Sequence, residues 1–177
     1  MSKKNIDFSS KNDEIEEFLS ESNEIEREYS EEALEDAKKA WDYAYEHRKE
    51  ITVDYILKIH YELMQRLNPL IAGKVRDCAV RIGYSIKEKK PEKVLLRELQ
   101  NWCDEYNQMK KEKGKLTEKD IKQLHIDYEY LHVFQDTNGR SGRILWQIQR
   151  INNRLPIKII YEKEKNDYYK WFYRESR

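Results

Sequence analysis

The sequence has few of the residues that interrupt helices, with only five Gly and three Pro among 177 residues. Cysteine is scarce as well: the chain has two, Cys78 and Cys103, and their spacing matches no metal-binding motif. We interpret them as reduced thiols, which are typical of a cytoplasmic protein. The shortage of helix breakers, together with abundant Glu, Lys, Leu and Ile, predicts a mainly α fold.

Long apolar runs are also missing. No stretch of about 18 apolar residues occurs, so the sequence predicts no transmembrane helix and no membrane partner. The first residues, MSKKNIDFSSKNDEIEEF, lack the apolar region of a signal peptide, which again favours the cytoplasm. An excess of basic charge is missing too, because 34 basic residues balance 34 acidic ones. A balanced charge gives no indication of nucleic-acid binding.

Apolar residues recur at helical spacing through most of the chain. Ser30, Thr52 and Thr117 are candidate N-caps, and Asp120 completes a capping pair with Thr117. Ser22-Asn23 is expected to interrupt the first helix. The alternating, β-branched segment CAVRIGYSIK predicts a short hairpin or flap, and RLPIKIIY an extended segment. The predicted helices, with approximate limits, are 13–20, 31–47, 52–67, 91–111, 117–131, 138–153 and 166–174.

The segment LHVFQDTNGRSGR, residues 131–143, lies between the fifth and sixth of these helices. His132, at the end of the first of the two, has the one side chain here that can accept a proton near neutral pH. Asp136 precedes the second helix and is well placed to hold Mg²⁺. Arg140 and Arg143 are expected to share one face of its first turn, where guanidinium groups suit phosphate oxygens.

Asn138 and Gly139 stand where this second helix begins. A helix start has unpaired N–H groups and a partial positive charge, and both attract phosphate. We expect the two residues to take positive φ, which would aim successive N–H groups inward as an anion nest. Each feature alone has an ordinary explanation, such as a turn or a helix cap. Their combination in one loop favours a polyphosphate cradle beside a general base.

The segment HVFQDTNGRSGR resembles the signature of Fic domains, His-x-Phe-x-Asp/Glu-Gly-Asn-Gly-Arg-x-x-Arg. The segments IAGKVRDCAVRIG, LHIDYEYLHVF and RLPIKII are also similar to parts of the family, so the resemblance covers about residues 31–169. It implies a Fic-type helical bundle with a short β-hairpin flap next to the active site. The matching signature positions are His132, Phe134, Asp136, Asn138, Gly139, Arg140, Gly142 and Arg143.

The resemblance also implies an activity, the transfer of AMP from ATP to a Ser, Thr or Tyr hydroxyl of a target protein. In that reaction His132 would deprotonate the hydroxyl and Asp136 would bind Mg²⁺. The target protein would dock on the flap around Val80 to Ile86 by strand-like pairing. The nucleotide phosphates would be held by Asn138, Gly139, Arg140, Gly142 and Arg143.

Thr137 departs from the signature, in which Gly is usual at this position. A β-branched residue restricts the backbone and adds bulk where it meets phosphate. The Doc branch of the family has a small non-Gly residue here and transfers the γ-phosphate, so the threonine leaves a kinase-like variant open. Gly139-Arg140 keeps the nucleotidyltransferase form. The sequence is also compatible with an enzyme that removes AMP, with a bifunctional enzyme, and with a non-catalytic ATP-sensing binding protein.

A second segment, SNEIEREY, resembles the inhibitory helix of the family, Ser/Thr-x-x-x-Glu-Gly/Asn. Ser22 and Glu26 match its spacing, and Arg27 stands where Gly or Asn is usual. The resemblance implies that Glu26 pairs with Arg143 and withholds it from the γ-phosphate. The same glutamate is also the group that would position water for AMP removal.

The inhibitory segment has a second register, in which Ser20 and Glu24 take the two positions. We prefer the first register because of the Ile25-Glu26 pair. The chain is accordingly divided into an inhibitory helix region, residues 1–30, and a Fic domain, residues 31–177. Oligomers are common in the family and can gate the inhibitory helix, so we also expect a homo-oligomer.

Overall fold

The computed structural model describes residues 8–82 and 85–173, and it is mainly α-helical. Two short strands, β1 (Val80–Ile82) and β2 (Ser85–Lys87), pair as an antiparallel hairpin. The prediction of a helical fold with a small hairpin is therefore confirmed. The helices are α1 (Phe8–Ile25), α2 (Glu31–Glu46), α3 (Val53–Met64), α4 (Glu92–Lys113), α5 (Glu118–Leu131), α6 (Asn138–Asn152) and α7 (Lys165–Tyr169).

Helix α6 lies at the centre of the fold. Every residue from 140 to 150 is buried, and the helix packs against α1, α2, α3 and α5. Its apolar side chains, Trp146 among them, belong to the main core. Its polar ones have specific partners: Gln147 donates to the carbonyl of Lys158 at 2.6 Å and accepts from its N–H at 3.2 Å. This pair holds the segment 155–161 against α6.

The helix starts follow the caps that the sequence contains. The hydroxyl of Ser30 accepts from the N–H of Ala33, and that of Thr52 accepts from the N–H of Tyr55. Thr117 and Asp120 form a reciprocal capping box at the start of α5. These bonds satisfy N–H groups that a helix start leaves unpaired. The predicted starts of α2, α3 and α5 are confirmed to within one residue.

Helix α1 does not match its prediction. Ser22 and Asn23, which were expected to interrupt it, lie inside one continuous helix, and both are buried. The hydroxyl and the carbonyl of Ser22 accept hydrogen bonds from Arg143. Tertiary contacts therefore outweigh the weak helix propensity of these two residues.

Helix α1 ends in a Schellman turn, in which the backbone closes over the last carbonyl groups. The N–H of Glu28 donates to the carbonyl of Asn23 at 3.0 Å, and the N–H of Arg27 donates to that of Glu24 at 2.9 Å. Arg27 has a φ of 61°, which this turn requires and which Gly or Asn adopts more easily. The turn places Glu26 at the end of the helix, where its side chain meets α6.

The hairpin forms the predicted flap, with Arg81 opposite Ile86. Residues 83–84, between the two strands, lie outside the described residues. At the other end of the chain, the helix predicted for 166–174 is shorter. Helix α7 gives way to a 3₁₀ turn, Lys170–Phe172, and residue 174 lies outside the described part. In the described ranges, no helix is both long and apolar enough to cross a membrane.

Candidate active site

The loop between α5 and α6 is closed by the side chain of Asn138. Its Oδ1 accepts from the N–H of Phe134 at 3.0 Å, and its Nδ2 donates to the carbonyl of Phe134 at 2.9 Å. The ring of Phe134 is fully buried and stacks on His60, with ring centroids 3.8 Å apart. The loop is thus a fixed unit. The side-chain amide of Asn138 is already bonded to Phe134, so only the backbone N–H of this residue is available to bind a phosphate.

His60, which sequence analysis did not assign to the site, supports this loop. The N–H of Gly73 donates to its Nδ1 at 3.0 Å, so Nδ1 carries the lone pair. Its Nε2 then holds the proton and donates to the carbonyl of Asp136 at 3.2 Å. Burial lowers the pKa of His60 to about 4, which keeps the ring neutral. His60 therefore fixes the backbone of Asp136.

Arg76 joins the flap to the same loop and was also missed from the sequence. Its Nε donates to the carbonyl of His132 at 2.8 Å. Its Nη1 donates to the carbonyls of Cys78 at 2.7 Å and Glu88 at 2.8 Å, one on either side of the hairpin. Its own N–H donates to the carbonyl of Val133 at 2.8 Å. The side chain is deeply buried, so these bonds form a permanent link between the base of the flap and His132.

His132 follows α5 in the left-handed conformation, with φ of 47°. Its Nδ1 lies 3.2 Å from the carbonyl of Glu129, and a carbonyl can only accept. The proton is therefore on Nδ1 and the lone pair on Nε2. Burial lowers the pKa of His132, and the positive charges of Arg76 and Lys87 lower it further. A neutral imidazole with a free lone pair can act as a general base.

Asp136 is an exposed carboxylate just before α6. One of its oxygens accepts from the N–H of Thr137. Within the described ranges, no cluster of three or more His, Cys, Asp or Glu side chains surrounds a metal position. A single carboxylate still suits Mg²⁺, which takes one or two carboxylates and completes its shell with phosphate oxygens and water. The residues present fit a magnesium ion that arrives with a nucleotide.

Arg140 is a buried cation, only 6 % exposed, at the start of α6. Its Nη2 donates to the hydroxyl of Thr137 at 2.9 Å. Its Nε and Nη1 have no hydrogen-bond partner among the described residues. Unpaired nitrogens on a buried guanidinium are costly, and a phosphate group at the helix start would pair with them.

Arg143 is also buried but is already paired with α1. Its Nε donates to the hydroxyl of Ser22 at 2.9 Å, and its Nη2 donates to the carbonyl of Ser22 at 2.9 Å and to Glu26 Oε1 at 2.8 Å. Burial disfavours the charge, and Glu26 more than offsets this, so the pKa of Arg143 lies above its ordinary value. The structure thus brings Ser22 and Glu26 onto Arg143. In the other register, Ser20 and Glu24 hydrogen-bond to each other instead.

The two glycines of the motif face different neighbours. A Cβ on Gly139 would lie 2.3 Å from Glu26 Oε1, so that carboxylate rests directly on the first turn of α6. A Cβ on Gly142 would lie 2.1 Å from Glu129 Oε1. Gly142 therefore allows α5 and α6 to pack closely. Its part in phosphate binding stays a prediction.

The prediction of positive φ at Asn138 and Gly139 is wrong, because both residues belong to the first turn of α6. The positive φ falls one residue earlier, at Thr137, with a value of 64°. Arg140 and Arg143, which were predicted to share one face of this turn, have different partners in the structure. Arg140 contacts Thr137, whereas Arg143 contacts α1.

Glu129 is a further ionisable group behind the site that sequence analysis did not single out. Its Oε1 is buried without a hydrogen-bond partner among the described residues. Burial raises the pKa of Glu129 to about 8, although the charge of Arg143 opposes this. At neutral pH the group is therefore largely protonated and does not compete with Glu26 for Arg143.

Comparison with known proteins agrees with this geometry. Residues 50–149 match the model of the Fic/DOC family. The protein adenylyltransferase fic-1 of Caenorhabditis briggsae is 29 % identical over 125 residues, which cover 68 % of this chain and 23 % of that protein. The protein adenylyltransferase Fic of Nematostella vectensis is 28 % identical over 130 residues, 68 % of this chain and 28 % of that protein. The chain thus spans about a quarter of the length of these curated relatives.

Solved structures show the same fold. A Fic-domain signalling protein from Bacteroides thetaiotaomicron superimposes with a TM-score of 0.78 at 19 % identity, over 93 % of this chain and 72 % of that one. Fic-1 from Caenorhabditis elegans superimposes with a TM-score of 0.72 at 17 % identity, over 95 % of this chain and 57 % of that one.

Proposed function

The chain belongs to the Fic/DOC family, and from this premise we propose that it is a protein adenylyltransferase, which transfers AMP from ATP to a hydroxyl group of a target protein. The names of its relatives support the transferase chemistry. The observation that carries the proposal is the loop itself. It combines a histidine with a free Nε2 lone pair, an exposed carboxylate, and the unpaired buried guanidinium of Arg140 at a helix start.

In the proposed reaction the target hydroxyl gives its proton to Nε2 of His132 while its oxygen attacks the α-phosphorus of ATP. The bond from that phosphorus to the oxygen bridging the α- and β-phosphates breaks, and pyrophosphate leaves. The lowered pKa of His132 supports this role, because the base is neutral before the reaction. Arg76 would keep the imidazole in place through the His132 carbonyl.

The phosphates would be held by the N–H groups of Asn138 and Gly139 together with Arg140 and, once it is released, Arg143. Asp136 would hold Mg²⁺, which when bound neutralises charge on the phosphates. The protein then contributes position and fixed positive charge, which is the usual basis of phosphoryl-transfer catalysis.

The flap is the proposed docking place for the target protein. A two-stranded hairpin leaves backbone groups free along its outer edges, and an extended peptide can pair with them. Ile86 on β2 is 58 % exposed, and an apolar side chain of the target would cover it. The link through Arg76 would then hold the docked segment in a constant relation to His132.

We further propose that α1, in the region 1–30, inhibits the enzyme. The carboxylate of Glu26 lies on the first turn of α6, where a phosphate would bind, and it pairs with Arg143. An anion in that position competes with the nucleotide phosphates for the same donors. Glu26 remains 36 % exposed, so water can replace its contacts when α1 moves away.

The test uses ATP labelled at the α- or the γ-phosphate, with Mg²⁺, the full chain, and a cell lysate as the source of acceptor proteins. The proteins compared are the wild type, Glu26→Gly, and Glu26→Gly combined with His132→Ala. The expected result is label from the α-position alone, stronger in Glu26→Gly and at least about 100-fold weaker after the His132 substitution. Label from the γ-position, or label that persists without His132, would contradict the proposal.

A further inference from the structure

Thr137 combines a strained backbone with a buried hydroxyl. Its φ of 64° lies in the left-handed region, which β-branched residues rarely adopt because their side chains crowd the backbone. The residue is 5 % exposed, and its side chain makes no capping bond to α6. Strain of this kind persists only where the surroundings hold it, often at functional sites. Helix capping therefore does not account for this threonine.

The hydroxyl of Thr137 connects α3 with the first turn of α6. It donates to Met64 Sδ and accepts from Arg140 Nη2 at 2.9 Å. Because its proton points towards Met64, its lone pairs are left for the guanidinium. Glycine would adopt this φ without strain but would offer Arg140 nothing to bind. Valine would have nearly the same shape without the acceptor.

Arg140 depends on this anchor. Asp136, Glu26 and Glu28 influence its charge from a distance, but within the described part of the chain Arg140 forms no ion pair. Its Nε and Nη1 remain unpaired in a buried position. The guanidinium is thus oriented through Nη2, by the short bond to Thr137 and a longer contact of 4.0 Å with Met64 Sδ, while Nε and Nη1 are left for an anion.

We propose that Thr137 is a positioning residue for the nucleotide: its hydroxyl holds the guanidinium of Arg140 so that Nε and Nη1 face a phosphate group of a bound nucleoside triphosphate. The inference rests on the proposed function, because it takes the anion at the start of α6 to be a nucleotide phosphate. It explains why a residue with a hydroxyl occupies a position whose φ suits glycine.

The test measures the dissociation constant of Mg-ATP by calorimetry on the full chain, with Glu26→Gln in every protein so that the α1 carboxylate does not compete. Thr137→Ser keeps the hydroxyl and should bind ATP within about twofold of the parent. Thr137→Val should bind about tenfold more weakly, and so should Arg140→Met. The double variant of Thr137→Val with Arg140→Met should be no weaker than Arg140→Met alone, since both changes remove the same interaction.

A purely structural role is separated by thermal unfolding. Thr137→Gly relieves the backbone strain, which offsets the loss of the hydroxyl contacts, so its unfolding midpoint should stay close to that of the parent while its ATP binding falls about tenfold. The inference would be overturned if ATP binding by Thr137→Val and Thr137→Gly weakened only in proportion to a fall in their unfolding midpoints. So would full ATP affinity in Thr137→Val when Arg140→Met binds poorly, a result that leaves the proposed function intact. Unchanged ATP binding in Arg140→Met would instead contradict the proposed nucleotide site, and this inference with it.

Discussion

The loop that carries His132 is held from two sides, and the two sides differ in how far water can reach them. On the side of α3 and the flap, His60 and Arg76 are 0 % and 2 % exposed, and each binds backbone groups. On the side of α1, Arg143 is equally buried, but its partner Glu26 is 36 % exposed. On the first side, buried side chains hold the backbone of the loop by hydrogen bonds. On the second side, the contact is an ion pair whose carboxylate is open to solvent.

This difference suggests how one helix can block a site without being part of its framework. The bonds of Arg76 have no competitor in the proposed reaction, because its side chain is 2 % exposed and its acceptors are neutral backbone carbonyls. The bond that Arg143 donates to Glu26 can be replaced. A phosphate is also an anion, and it would occupy the same first turn of α6. We therefore expect that substitutions on the α3 and flap side lower activity, whereas loss of the Glu26 contact on the α1 side raises it.

Removal of Arg76 should have the largest effect. Arg76→Met leaves three carbonyl groups without their donor, so the free energy of unfolding should fall by about 3 kcal/mol. AMP transfer should fall at least about 100-fold, because His132 loses its link to the flap. Urea unfolding and labelling with α-labelled ATP measure the two quantities. The matched control is Arg97→Met at an exposed position, which should change the free energy of unfolding by less than about 0.5 kcal/mol. Equal effects of the two substitutions would show that Arg76 does not hold the loop.

His60 should come next on the same side. His60→Phe keeps a ring against Phe134 but removes the bonds to the Asp136 carbonyl and the Gly73 N–H. We expect the free energy of unfolding to fall by about 2 kcal/mol. The concentration of Mg²⁺ needed for half-maximal AMP transfer should rise, since the loop that presents Asp136 is no longer fixed. Wild-type stability in His60→Phe would show that stacking alone holds the loop.

Glu129 lies between the two sides and should make the free energy of unfolding depend on pH. Its pKa is raised from 4.5 to about 8, so the folded protein keeps a proton that the unfolded chain releases. The free energy of unfolding should therefore fall as pH rises from about 4.5 to 8. His60 and His125 have lowered pKa values and act in the opposite direction, but below about pH 6.5.

The measurement for Glu129 is thus urea unfolding between pH 6.5 and 8. Relative to wild type, Glu129→Gln should gain about 1.5 kcal/mol across this interval. A difference between the two proteins that stays constant with pH would mean that Glu129 does not carry the buried proton.

The smallest predicted effect is that of Arg27→Gly, which should stabilise the end of α1. Arg27 has a φ of 61° in the Schellman turn, and Arg27→Gly would remove up to about 1 kcal/mol of backbone strain. The end of α1 should then be more stable, Glu26 should stay longer on Arg143, and AMP transfer should fall by about twofold to fivefold. Faster transfer in Arg27→Gly would indicate that the turn does not hold the inhibitory carboxylate.

Sequence reasoning was most reliable where the interactions are local. The caps at Ser30, Thr52 and Thr117 act over three residues, and their helix starts were predicted correctly. The motif residues could be found because they stand together in one loop. The positive φ was misplaced by one residue, because the Asn138 side chain bonds to Phe134 and leaves the turn to Thr137.

The support of the loop could not be predicted in the same way. His60 lies 76 positions from the Asp136 carbonyl that it binds, and Arg76 lies 56 positions from the His132 carbonyl. In the sequence, one is a histidine on an apolar helix face and the other an arginine before the flap. Neither carries a local pattern that names its acceptor, so their roles emerge only when the chain is folded. The helix break expected at Ser22-Asn23 failed for the same reason, because Arg143 is a distant partner.

We propose that Glu26 blocks the site reversibly from the α1 side. The most direct test is the initial rate of AMP transfer from α-labelled ATP for the wild type, Glu26→Gln and Glu24→Gln. The two substitutions remove the same charge two positions apart at the C-terminal end of α1, but of the two residues only Glu26 contacts Arg143. We expect a rise of about tenfold or more for Glu26→Gln and a wild-type rate for Glu24→Gln. Equal rates for the wild type and Glu26→Gln, or an equal rise in both variants, would contradict it.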